Sequence, residues 1–383
     1  MKRRLSQRGV TLLELLVALA ILGVVLLIIG HAMSLMQNTW VKIRGKADGF
    51  RNTRLALDTV TQRLSQATLN SRWKIDAAQP NNLRYVPDSD LHFVSGKATT
   101  LLNNDSTPVG DAVFFQAPFG QDAIPQSTSS TTPPLDTQSL EETLNAWGYF
   151  VEFGSDADER PDFMVQSAAQ FPPRQRFRLL EFRQPAHELT LFDLGTAQAP
   201  GQAPGLLISQ ANSFTQLYTW FRTPLAAGST YQQRRLTVIA ENVLAIIVTP
   251  LDPKLRDPNA PANDPSPYLV APDGTWDSRR FQTDGSQPVT PGTATPTPSQ
   301  YQWHRLPPAI QLTAIAMSED SWAAIPDEMV GSTANQLRTL INGLFNQGST
   351  LENDLTAVQT QLDAMTPPMR YKIVSILIPM AGQ

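Results

Sequence analysis

From Val10 to Gly30 the chain reads VTLLELLVALAILGVVLLIIG, an apolar run whose only charged residue is Glu14. About 20 apolar residues rising 1.5 Å each cover a hydrocarbon layer ~30 Å thick, so the run predicts a transmembrane helix over residues 10–30. Lys2, Arg3, Arg4 and Arg8 precede it, and the positive-inside rule keeps them in the cytoplasm and places the chain beyond residue 30 on the far side. The pattern then changes without stopping. Met36, Ile43, Phe50, Leu57 and Leu64 recur every seventh residue, with Trp40, Ala47, Val60 and Ala67 beside them. This predicts an amphipathic stalk helix over 31–70 whose opposite face is polar and basic. The first proline is Pro80, so a continuous helix from Val10 to about Thr68, roughly 90 Å long, is expected. Its outer half should pack on the following domain and its inner half on neighbouring helices.

Beyond Pro80 short runs rich in β-branched and aromatic residues alternate with turn formers. They predict strands at Leu83–Val86, Leu91–Val94, Ala112–Ala117, Trp147–Phe153, Arg176–Arg183, Leu189–Phe192, Arg235–Val248, Ala309–Met317 and Tyr371–Ile378. Helices are expected at about Pro326–Phe345 and Thr350–Met365. Three stretches are low in complexity: 118–139, 195–205 and about 250–300. Between Pro250 and Pro298 lie 11 of the 31 prolines, a density that argues against any helix or central strand there. The fold class that emerges is α+β: a long N-terminal transmembrane and amphipathic helix packed on an antiparallel β-sheet head over residues 80–383, with long Pro-rich loop insertions.

Composition narrows the function. Of 383 residues 41% are apolar and 17% charged, enough hydrophobic material for a core. Residues 1–72 hold 11 Lys/Arg against 3 Asp/Glu, and the remainder 19 against 31, a basic stalk on an acidic head. Acidic balance makes nucleic acid an unexpected partner. Cysteine is absent, which excludes disulfides and thiolate chemistry. His31, His92, His187 and His304 are not in zinc-protease spacing, and no GxSxG, Walker or GxGxxG motif occurs, so neither enzyme activity nor a cofactor is expected. Three local features have two readings each. Asp156, Asp158 and Asp162 offer carboxylates of the kind that hold Ca²⁺, or form a solvated turn. Arg174, Arg176 and Arg178 alternate along one face of a strand, either the wet face or a surface for an anionic partner. Trp276 either anchors a partner or tucks onto its own domain.

Glu14 carries the most information. A carboxylate inside an inserted helix costs about 2.5–3.5 kcal/mol, which marks it as functional. No Lys or Arg lies between Val10 and Gly30, so its countercharge comes from another chain or from a newly made amine. A cleavable secretory signal ending near Gly30-His31-Ala32 is the simpler alternative, but the apolar run exceeds the usual ~7–15 residues. Gly9-Val10-Thr11-Leu12-Leu13-Glu14 after a basic leader resembles the processing motif of type IV prepilins and type II secretion pseudopilins, although the residue after the glycine is Val rather than the commoner Phe. The resemblance implies that prepilin peptidase cuts between Gly9 and Val10 and N-methylates Val10. Residues 1–9 are then a leader peptide. It also implies that Glu14 pairs with the mature amino terminus at Val10 of a neighbouring subunit.

The head has a likeness of its own. Glu241-Asn242-Val243-Leu244-Ala245-Ile246, then the Pro-rich insert, then Trp303 and Leu306-Pro307-Pro308-Ala309-Ile310-Gln311-Leu312 form an order similar to the J-type minor pseudopilin. The whole chain most resembles the Verru_Chthon cassette protein C family. Together these imply a minor pilin or pseudopilin subunit of a pilus- or type II secretion-like filament, in a tip or initiator position. Its expected partners are prepilin peptidase, other pilin subunits and inner-membrane lipid, with the head in the periplasm. The alternative is a single-span, membrane-anchored protein whose head binds an extracytoplasmic ligand.

Overall fold

The computed structural model describes residues 12–75, 85–102, 107–118, 144–157, 160–166, 172–186, 189–192, 218–226, 228, 230–256, 267–271, 274–279, 304–346, 350–366 and 368–380, with only some of the helical side chains before Phe50. The chain divides into two compact units, Met1–Asp48 and Gly49–Gln383.

The described part of the first unit is helical, the beginning of α1 (Leu12–Leu64), a 53-residue helix. The helix stops at Leu64 rather than near Thr68. Ala67 donates its N–H to Leu64 at 3.0 Å in a tightened last turn, and Thr68 then donates to the Gln116 carbonyl at 2.9 Å. A sheet partner thus takes the backbone from the helix. Among the described residues no helix is long and apolar enough to cross a membrane.

In the second unit, the end of α1 is followed by a two-stranded hairpin, β1 (Arg72–Ile75) with β2 (Tyr85–Asp88). Then come β3 (Val94–Lys97), α2 (Ala98–Leu101), β4 (Pro108–Ala117), β5 (Asn145–Ser155), α3 (Asp162–Gln166) and β6 (Gln175–Gln184). A 3₁₀ turn at Thr190–Phe192 and α4 (Thr219–Leu225) precede β7 (Leu236–Glu241), β8 (Val243–Arg256), β9 (Pro267–Leu269) and β10 (Trp276–Asp277). The chain ends with β11 (Ala309–Met317), α5 (Glu319–Ala323), α6 (Asp327–Gly343), α7 (Leu351–Ala364) and β12 (Tyr371–Pro379).

Among the described residues the main sheet runs β12-β11-β8-β4-β5-β6-β7, with β3 and β10 added beside β4 and β9 beside β8. All of its pairings are antiparallel except one parallel bridge, Gly110↔Ile246. β7 lies at the end of this order and β8 in its middle, yet Asn242 alone separates them. The sheet must therefore curl until its β7 edge continues into β8. Asn242 makes this corner with φ at 60°, a left-handed conformation that Asn tolerates better than most residues. Its N–H goes to the Phe177 carbonyl and its own carbonyl accepts from Met317, both at 2.7 Å. Where β4 crosses β8 the approach is closer still. Gly110 has φ 74°, and a Cβ there would sit 2.7 Å from the Ile246 carbonyl, so only glycine fits.

Both faces of the central strands are covered, which is why β4 and β5 read as nearly unbroken apolar runs. One core gathers Ala56, Leu57, Val60 and Leu64 of α1 with Val113, Phe115, Trp147, Tyr149, Leu179 and β8, β11, α6 and α7. The opposite core joins Phe114, Phe150, Leu180 and Phe182 to α2 and α4. Leu57 and Leu64 are fully enclosed, each contributing roughly 1.5–3 kcal/mol. The outer stripe of the amphipathic helix thus packs as its seven-residue recurrence predicts.

Several expectations are corrected. Leu189–Phe192 is not a strand: Thr190 Oγ1 donates to the Trp220 carbonyl at 2.9 Å and Leu191 fills the second core. Leu91–Phe93 is not a strand either, since His92 and Phe93 give their N–H groups to the Gln116 Oε1 and Ser278 Oγ side chains; the strand starts at Val94. Arg235–Val248 breaks at Asn242 into β7 and β8. Pro250 lies within β8, opposite Ile310, and the Pro-rich insert returns to the sheet through β9 and β10. The β8 and β11 strands that flank this insert pair with each other. Its base is clasped where His304 donates its N–H to Ser278 at 2.7 Å, and the stretch after β4 is closed by the pairing Ala117↔Asn145. The segments 119–143, 195–205 and 280–303 lie outside the described residues.

Candidate processing and anchoring segment

Gly9 and Val10 lie outside the described residues. Glu14 falls in the first turn of α1, and its side chain is likewise outside the described set. What the first unit does show is the surface around that turn. Leu16, Val17, Leu19, Ile21, Leu22, Val25, Leu26, Leu27 and Ile29 are each 43–74% exposed. At 100° per residue these positions surround the helix rather than forming one stripe. A helix that is apolar on all sides is stable only when something else covers it. Lipid or neighbouring apolar helices meet that need, and water does not.

The other sites proposed from sequence resolve differently. Asp156 is occupied: it pairs with Arg160 at 2.9 Å and accepts the Arg174 N–H at 2.7 Å. Burial alone would raise its carboxyl, but these donors hold it below the ordinary range. Asp158 lies outside the described residues, and Asp162 opens α3 with its side chain outside the described set. Among the described residues no group of three or more His, Asp or Glu is placed to hold a metal.

The arginines on β6 do not form a wet face. Arg176 and Arg178 are buried. Arg176 reaches Glu319 Oε1 at 2.5 Å, while Arg178 contacts Glu241, the Ser155 carbonyl and the Tyr231 hydroxyl. Trp276 tucks into the main core, its Nε1 donating to the Arg305 carbonyl at 3.0 Å.

Sequence reasoning missed two buried polar clusters. In the first, Arg63 of α1 pairs with Glu181 of β6 and lies 4.2 Å above the Trp147 ring. Tyr149 donates its hydroxyl to the same carboxylate at 3.1 Å. Burial pushes the Glu181 carboxyl up, against the pull of Arg63 and Tyr149, and the phenol of Tyr149 is raised by burial and by Glu181. An intact buried pair of this kind adds little net stability, whereas removing one partner leaves the other charge uncompensated. The only signal in the sequence is a cation one residue from the apolar stripe.

The second cluster joins His92, Asp277, Tyr218 and Trp220. His92 Nε2 lies 2.8 Å from Asp277 Oδ1, and Trp220 Nε1 donates to His92 Nδ1 at 3.1 Å. An indole can only donate, so Nδ1 takes the acceptor side of that contact while Nε2 faces the carboxylate. Tyr218 and the Arg279 N–H also donate to the carboxylate. Burial would raise the Asp277 carboxyl, but the attraction of His92 and its hydrogen bond, followed by the Arg279 N–H and the Tyr218 hydroxyl, hold it below its usual value. Both imidazole nitrogens are engaged, which makes this a structural clasp and leaves no ring nitrogen to serve as a base.

The family model described as Prokaryotic N-terminal methylation motif matches residues 4–30. No curated protein matches the chain, and no solved structure does. The matched stretch runs from Arg4 to Gly30, through Gly9, Val10, Glu14 and the exposed apolar helix, so the amino-terminal segment carries a prepilin-type methylation motif and is type IV pilin-like.

Proposed function

We propose that the chain is a non-enzymatic minor pilin- or pseudopilin-like subunit, cut between Gly9 and Val10 by prepilin peptidase and assembled with other pilin subunits into a pilus- or type II secretion-like filament. The observation that carries this reading is an apolar surface on every side of the start of α1 within a stretch that matches an N-terminal methylation motif. Before assembly that surface sits in the inner membrane, with the leader in the cytoplasm and the head in the periplasm. In the filament, neighbouring helices replace lipid, and the Glu14 carboxylate pairs with the methylated Val10 amine of the next subunit, each offsetting the desolvation of the other.

The head supports the finer assignment to a J-type minor pseudopilin or to the Verru_Chthon cassette protein C family. β8, which opens at Val243 just after Glu241-Asn242, and β11, which opens at Ala309 just after Leu306-Pro307-Pro308, are hydrogen-bonded neighbours across the Pro-rich insert. Bulky insertions crowd a filament wall and fit a tip or initiator position.

Mass spectrometry of the protein from its native host tests the reading. The expected mature mass is lower by the nine-residue leader and higher by one methyl group, and Glu14→Ala should be processed yet missing from sheared filaments. An intact leader on the native protein would refute it.

A further inference from the structure

β12 ends the main sheet, and among the described residues its only strand partner is β11. Two hydrogen bonds fix how its backbone faces. Ser318 donates its N–H to the Arg370 carbonyl at 2.8 Å, and Met380 donates to the Pro308 carbonyl at 3.2 Å. The register runs from Ala309↔Pro379 to Met317↔Tyr371 without a bulge. In an antiparallel ladder the bonded residues alternate, so Lys372, Val374, Ile376 and Ile378 face β11. Tyr371, Ile373, Ser375 and Leu377 turn their N–H and C=O groups outward. Pro379, which has no N–H, falls on the outward set, where an edge strand tolerates it.

Natural edges are usually blunted by a mid-strand charge, a bulge or a proline. β12 has none of these from Ile373 to Ile378. Leu377 is 53% exposed, and Ile373, Val374 and Ile376 are only partly covered. Charge is confined to the entry of the strand. Arg370 and Lys372 stand there, neither in an ion pair among the described residues; the segment Met369–Met380 contains no carboxylate, and the one that α7 brings beside it, Asp363, is taken by the Tyr371 hydroxyl. The ammonium of Lys372 lies 6.0 Å from the Phe50 ring.

We propose that the outward edge of β12 receives an extended β-segment of a different polypeptide, aliphatic along its length and carboxylate-bearing at the end beside Arg370 and Lys372. The open ladder calls for a strand, and the two cations select the charge at one end of it. A second copy of this chain fits less well. It brings the same cations and, within Met369–Met380, no carboxylate to meet them.

The test uses the full chain in detergent micelles and a fluorescent, N-acetylated peptide of alternating Thr and Val with two Glu residues at its C-terminal end. Antiparallel pairing brings those carboxylates to Arg370 and Lys372. Saturable binding is expected, and a peptide with Lys in place of Glu should bind about fivefold more weakly. Leu377→Pro removes an outward N–H without breaking a bond to β11 and should weaken binding about tenfold or more with an unchanged thermal melt. Leu377→Ala should change binding by less than about threefold. Absence of peptide binding, or equal binding by Leu377→Pro, overturns the proposal. So does a disulfide-linked dimer from Ser375→Cys, the only thiol in that variant, because it would give the edge to a second copy. The peptide readout does not depend on leader removal, so an unprocessed protein that still binds the peptide would sink the filament reading alone.

Discussion

The two units solve the problem of apolar surface in opposite ways. In Gly49–Gln383 large side chains such as Trp147, Phe114 and Leu57 are fully enclosed, and buried charges are paired within the head, as Glu181 with Arg63, Arg176 with Glu319 and Glu152 with Arg234. In Met1–Asp48 Leu22, Leu26 and Leu27 face outward at 53–74% exposure. The head therefore specifies its structure by contacts within the chain, whereas the anchoring segment depends on surroundings the chain does not supply. Changes in the head should be read as stability, and changes in the first unit, under the proposed function, as membrane retention and assembly.

The sharpest way to break this contrast is Arg63→Ala. It strands Glu181 and Tyr149 without their cation in the core, and should lower head stability in urea by about 3–5 kcal/mol while leaving leader processing intact. Leu57→Ala and Leu26→Ala form a matched pair. The first should cost about 2–5 kcal/mol of unfolding free energy, the second less than about 0.5 kcal/mol while increasing extraction from membranes. Gly148→Ala comes next, because the new Cβ would lie 2.2 Å from Phe114 Cδ1; a loss of about 1–3 kcal/mol is expected in the same titration. The smallest effect concerns pH. Asp277 has a depressed carboxyl in the folded head, so its stabilisation is present above the ordinary value of about 3.9 and is lost as pH falls through the depressed one. Asp277→Asn should unfold with a shallower dependence on pH below about 4, measured by thermal melts against the parent chain.

Elements built on long local periodicity were legible in the sequence. β11 spans the expected Ala309–Met317, and α6 and α7 fall within a few residues of their expected ends, because their apolar spacing decides their structure. Short elements depended on distant partners and were not legible. β10 forms because Trp276 meets Ser95, and β9 forms because Leu269 meets Leu251, pairings that no local window contains. Pro250 is accommodated in β8 for the same reason. Alternation placed Arg176 and Arg178 on one face correctly, but alternation is blind to Glu319 and Glu241 arriving from elsewhere to bury them. The methylation motif is a linear signal and so was readable outright, while the place of β12 at the end of the described sheet required the strand order.

Three of the stretches outside the described residues share one property of their flanks. Residues 119–143 leave from Ala117 and return at Asn145, 257–266 leave from Arg256 and return at Pro267, and 280–303 follow a clasp between Ser278 and His304. Each departs and returns at hydrogen-bonded neighbours, so its closure is already enforced by the head. Doubling the length of any one adds only about 0.6 kcal/mol of chain entropy. These are the positions where the molecule can be lengthened, tagged or exchanged for another sequence with the framework beneath left unaltered.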